Sequence, residues 1–251
     1  MKRLLKNEAD KLGKKKLFLF ILIVYVIYSV ISINIYKKMV EEGLINYVDS
    51  NIFVEQFSTD FLNKPLLPIG PIIIGLGLLD VFIQDYASGN MKFQAMKLSN
   101  RKSFILSKLL TQQIVYFVLA WIMFVLSQIA GNIAFETNLT PANIASSFVI
   151  YNLNILPSLA VVNIANLIYA AAGREHLARI SLIALFIILE IVARATSFGH
   201  LLPVLNYSYL ESCFDGKFEL KYLNRQLVSL IYLAVLTFLN LMVWSNKEYD
   251  K

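Results

Sequence analysis

Six apolar stretches, each long enough to cross a bilayer, alternate with short polar segments along the chain. They run from about Leu17 to Tyr36, Leu66 to Gln84, Gln113 to Ala134, Ile144 to Ala172, Leu177 to Ala193 and Leu227 to Trp244. A helix rises about 1.5 Å per residue, so roughly 20 apolar residues cover the hydrocarbon core. The pattern predicts an all-α integral membrane protein with six transmembrane helices in one domain. The first run is too long for a signal-peptide core and carries no convincing small-residue cleavage site, so it reads as a retained span.

Local chemistry refines the spans. The second opens with Pro68, Gly70 and Pro71 and continues through Gly75 and Gly77. Proline is tolerated near a helix start, and small residues let another helix approach closely, in this chain or a second copy. The fourth span contains Pro157, which predicts a kink. On an unbroken helix Asn152, Asn163, Asn166 and Tyr169 share one stripe. Such a stripe either lines a path or supplies interhelical hydrogen bonds, worth about 1 kcal/mol each. Trp244 suits an interfacial anchor at the end of the last span. Residues 194–226 are mixed: FGHLLPVLNYSYL is apolar but interrupted by Gly199 and Pro203, and too short to span. Such a segment survives at membrane depth only when packed in protein or lining water. In residues 1–16, Leu4, Leu5 and Leu12 share a helical face surrounded by Lys and Arg. That stretch reads either as an interfacial helix on anionic lipid or as a topogenic tail.

Composition and charge sharpen the picture. Mean hydropathy is +0.62, and only 16% of residues are charged, which places the buried surface between helices in lipid. The net charge of +6 raises nucleic acid as a partner, but the distribution of the charge answers it. With both termini and the loops at 85–108 and 173–179 on one side, that side holds 16 of the 23 Lys and Arg and the other 7. This is the positive-inside bias; it puts both termini in the cytoplasm and leaves no nucleic-acid partner expected.

Enzyme chemistry finds no foothold. Cys213 is the single cysteine, and His176 and His200 fall at opposite membrane faces without ligand-spaced partners. No catalytic residue and no metal site are expected. No glycine belongs to a GxxxxGK loop, so the chain itself is not expected to bind ATP. Asp80, the deepest carboxylate, is either a functional intramembrane acid or a headgroup-level residue, solvated or paired with a Lys; the nearby cytoplasmic end favours the second. Glu190 and Arg194, spaced i,i+4, read as a structural ion pair.

One polar stretch organises the rest: DYASGNMKFQAMKLSNRKSFILSK, Asp85 to Lys108. Asp85 and Gly89 are four apart, Gly89 and Arg101 twelve, Arg101 and Lys108 seven. With its place after the second span, this spacing resembles the acid-x-x-x-Gly, Arg, Lys pattern of type-2 ABC transporter permeases (exporters). Asp85 stands where Glu is usual, and Leu98 and Ser107 stand where Pro and Gly are frequent. The resemblance implies a coupling helix docking into a separate ATPase subunit, with Asp85, Gly89, Phe93, Met96, Arg101 and Lys108 involved. It further implies an N-terminal interfacial elbow helix, a re-entrant outer segment within 194–226, and a second permease copy or paralogue. The cargo expected is a peptide or small amphiphile. A secondary transporter, which would call for mid-span charges and inverted repeats, and a non-transporting membrane assembly protein are the alternatives.

Overall fold

The computed structural model describes residues 8, 10, 17–43, 69–91, 101–135, 141–196, 201–203 and 220–247. Its helices are α1 (Leu17–Glu41), α2 (Ile69–Ala87), α3 (Arg101–Phe135), α4 (Pro141–Leu153), α5 (Ile155–Ala172), α6 (Glu175–Ala195) and α7 (Leu220–Asn246). No strand occurs among the described residues. Among the described residues six helical spans are long and apolar enough to cross a membrane, the fourth formed by the end of α4 with α5. The outward faces suit that solvent: Leu19, Ile23, Val118, Ile180, Leu230 and Phe238 are all exposed. Exposed apolar surface on this scale belongs in lipid. All but Glu8 and Asp10 of the expected interfacial helix, and most of the expected re-entrant segment, lie outside the described residues.

α5 is the centre, packed against α2, α3, α6 and α7. Its inward positions carry small or compact polar side chains, among them Ser158, Ala160, Ala165 and Asn166, all buried. Small residues let helices approach closely enough for van der Waals packing, the main attraction available between helices in lipid. Gly75 shows the same effect on α2. A Cβ there would lie 3.0 Å from Leu182 on α6 and 3.1 Å from Val162 on α5. The close approach that Gly75 permits is therefore made within the chain and is no evidence for a second copy.

The fourth span breaks at Asn154, one turn before Pro157. Proline lacks the N–H that would bond the carbonyl four residues earlier, here that of Leu153. Gln226 Nε2 on α7 donates to that carbonyl at 2.7 Å. The proline thus opens the ladder, and a side chain of another helix closes it. Past Ala172, Gly173 adopts φ +63 and its N–H bonds the Tyr169 carbonyl at 2.9 Å. This left-handed residue ends α5, and Glu175 begins α6 two residues later, giving an antiparallel pair.

The third span starts earlier than hydropathy alone suggests. α3 runs 35 residues from Arg101, about 52 Å at helical rise, which exceeds a hydrocarbon core by several turns. Residues 101–108 are therefore helix, 85–87 are the last residues of α2, and Asn90 and Met91 are again helical after the turn at Ser88 and Gly89. One end of the bundle gathers Lys108, Arg101, Arg179 and Lys247, and is called the basic end below.

Candidate functional site

The basic end is built where α2 hands the chain to α3. Gly89 sits at φ +70, a left-handed conformation that glycine adopts without steric cost. Its N–H bonds the Tyr86 carbonyl at 3.1 Å, closing the last turn of α2. Met91, just beyond, is fully buried in the core, so it is not part of any exposed apolar cluster. Phe93 and Met96 lie outside the described residues.

Two turns into α3, Lys108 turns inward and is completely buried. Its Nζ donates to Glu8 Oε2 at 2.8 Å and forms an ion pair with Asp85 Oδ2. A buried ammonium is tolerated only with partners of this kind, because an isolated one loses hydration worth several kcal/mol. The contact joins the N-terminal segment, the end of α2 and α3. Arg101 extends the tie to the last helix, its Nη1 donating to the Ser245 carbonyl at 3.1 Å. A cation there also faces the negative end of the α7 dipole.

Lys247 closes the opposite side of the same end. Its Nζ donates to the Ala170 carbonyl and lies 4.5 Å from the Tyr86 ring centroid and 5.1 Å from that of Trp244. Trp244 is fully buried rather than an interfacial anchor. It packs against Phe82, Tyr86 and Tyr169, with ring centroids 5.1, 5.9 and 5.8 Å away.

Deeper in the bundle, amide side chains link four helices. Gln112 on α3 donates to the Leu78 carbonyl on α2 at 3.0 Å, and its Oε1 accepts from Asn166 Nδ2 on α5 at 2.7 Å. Asn240 Nδ2 on α7 donates to the Asn163 carbonyl on α5 at 2.9 Å. Asn163 itself donates back to the Leu159 carbonyl at 3.0 Å. All four amides are buried, so Asn163 and Asn166 hold helices together. Asn152 does not share their stripe: the break at Asn154 shifts its phase, and it accepts from Trp121 Nε1 at 2.9 Å.

No protein-family model, curated protein or solved structure matches the chain.

The remaining charged positions fall into place locally. Asp80 pairs with Arg179 Nη2 at 2.6 Å, and Arg179 also contacts Glu175 at 2.7 Å. Arginine reaches two carboxylates at once through its planar fork, which a lysine cannot do as well. Glu190 is buried within α6, whereas the Arg194 side chain lies outside the described residues. Among the described residues no cluster of three His, Cys, Asp or Glu could hold a metal ion. Gln112, Gln226, Asn240 and Glu8 carry structural contacts that were not anticipated. The amides were visible as lone polar residues inside or beside apolar runs, but Glu8 offered no signal beyond its charge.

Proposed function

We propose that the chain is the transmembrane subunit of an ATP-driven exporter of the type-2 ABC permease kind. It would lie in the plasma membrane with both termini cytoplasmic, pair with a second permease copy or paralogue, and couple to a separate ATPase that binds the nucleotide. The cargo would be a peptide or small amphiphile. The observation that carries this reading is the Asp85–Lys108 pair. Two residues of the spacing pattern meet across the segment that would dock the ATPase, and Glu8 joins them. Gly89 supplies the turn at one edge of that segment, and Arg101 ties its other edge to α7. Both edges of 92–100 are thereby anchored to α2, α3 and α7. A push delivered to this segment would reach three spans through packed helices and ion pairs, the kind of contiguous contact that carries coupling.

Phe93 and Met96 would be the apolar docking side chains, since Met91 is already buried. Phe93→Asp with Met96→Asp should force unpaired charges into the interface, costing about 3–5 kcal/mol. The test is co-purification with an ATPase encoded beside this gene. Wild type should retain the ATPase, and the double variant should lose it while still inserting in the membrane. Equal retention by both would overturn the coupling assignment.

A further inference from the structure

At the joint between α4 and α5, side chains take over part of the helical hydrogen-bond ladder. The Asn154 N–H bonds the Tyr151 carbonyl three residues back at 3.2 Å, a tighter turn than an α-helix makes. The Ser158 N–H reaches the Asn154 carbonyl at 3.3 Å, long for such a bond, and the Ser158 hydroxyl donates to the same carbonyl at 2.8 Å. Pro157 has no N–H to offer the Leu153 carbonyl, which takes its donor from Gln226 on α7. Proline and side chains inserted into the ladder are the usual causes of helix bending.

The two sides of the joint are held differently. α5 is packed by α2, α3, α6 and α7, whereas among the described elements α4 rests mainly on α3 and α5. Its attachment to α3 is aromatic: the Phe124 ring lies 5.5 Å from Phe148 and 5.1 Å from Tyr151, between centroids. One hydrogen bond adds to it, from Trp121 Nε1 to Asn152 at 2.9 Å. Ile144, Phe148 and Val149 are exposed on α4. Ile144 is ten residues from Asn154, a lever of about 15 Å at helical rise. Behind α4, the Tyr151 hydroxyl interacts electrostatically with Tyr25 and Tyr116 in the bundle interior. An outward turn of α4 would withdraw Tyr151 from both. Movements of this kind are absorbed by a few residues at the ends of elements, as Asn154 is here.

We propose that α4 is a hinged flap that turns about Asn154 while α5 stays in place, held closed by the Gln226 hydrogen bond to the Leu153 carbonyl. The flap stands on the joint and its side-chain donors and is independent of the coupling reading.

The test uses purified full-length protein with Cys213→Ser, which removes the single cysteine, and spin labels on Ile133→Cys of α3 and Ile144→Cys of α4. Pulsed electron-electron resonance reads the distance between them. Gln226→Ala should raise the share of longer distances by about fivefold or more, the effect of one ordinary hydrogen bond lost from the closed position. Adding Pro157→Ala returns a backbone N–H to the Leu153 carbonyl and should bring the share back to the wild-type level. Trp121→Phe cuts the hydrogen bond to Asn152 at an exposed position and should also raise the share, so the result does not depend on how Gln226→Ala folds. A control pair on α3 and α6, Ile133→Cys with Ile188→Cys, should keep one distribution throughout. An unchanged α3–α4 distance in both Gln226→Ala and Trp121→Phe, a share that stays high when Pro157→Ala is added, or an equal change in the control pair would each overturn the proposal.

Discussion

Lys108→Met is the most informative single change in the bundle. Methionine replaces the aliphatic stem with little loss of packing, so the perturbation is the loss of one charge. Lys108 is fully buried, Glu8 is 5% exposed at its side chain and Asp85 16%. Removing the ammonium takes a close cationic partner from two carboxylates that see little water. Breaking a buried pair costs about 3–5 kcal/mol, and the partial exposure of Asp85 favours the lower figure. For a chain of this length about 3 kcal/mol corresponds to a fall in Tm of about 6–12 °C. Adding Glu8→Gln and Asp85→Asn neutralises both carboxylates, and the triple variant should recover most of the loss, since uncharged replacements of buried ion clusters are often near neutral. Thermal unfolding of the purified protein in detergent, followed by helical circular dichroism, reads both numbers. Glu8 also tethers the N-terminal segment, so trypsin should cut within residues 1–16 faster in Lys108→Met than in wild type. A single variant that melts within about 1 °C of wild type, or a triple variant less stable than the single, would refute the reasoning.

Gln226→Ala should cost about 1–3 kcal/mol by leaving the Leu153 carbonyl without a donor. In a Pro157→Ala background, where the backbone N–H returns, the same change should cost far less; equal costs in a double-mutant cycle would contradict the assignment. Gly75→Leu should destabilise by about 1–3 kcal/mol or more through overpacking against Leu182 and Val162, whereas Gly75→Ala needs only small side-chain shifts; equal folded yields of Leu and Gly at this position would be evidence against the close approach. Reporter fusions after Lys251 and within residues 40–60 should report opposite compartments, the cytoplasm for Lys251; the same compartment for both would remove the six-crossing layout.

The spans were legible because their signal is one-dimensional: a run of apolar residues either is or is not long enough for a bilayer. What escaped were contacts between positions far apart in sequence. Asn163 and Asn166 were singled out by helical spacing, but their partners Asn240 and Gln112 sit on other helices, 77 and 54 residues away. The stripe with Asn152 failed because Pro157 breaks the helix at Asn154, and phase does not carry across a break. Asp80 stood out as the deepest carboxylate of its span, but its partner Arg179 is 99 residues distant. The start of α3 was misplaced for a different reason. Hydropathy marks where a helix enters lipid, not where it begins, and Arg101 to Gln112 form helix beyond the apolar run. Asp85 and Lys108 stood out through their spacing, but nothing in the sequence brought Glu8 to them.

The most direct measurement of the central claim is ATP turnover by the candidate ATPase in proteoliposomes, with and without this chain. If residues 85–108 couple the bundle to the ATPase, wild-type chain should change the turnover rate, and Phe93→Asp with Met96→Asp should abolish that change at equal membrane incorporation. A rate that is the same with wild-type chain, with the double variant and with empty liposomes would contradict the account.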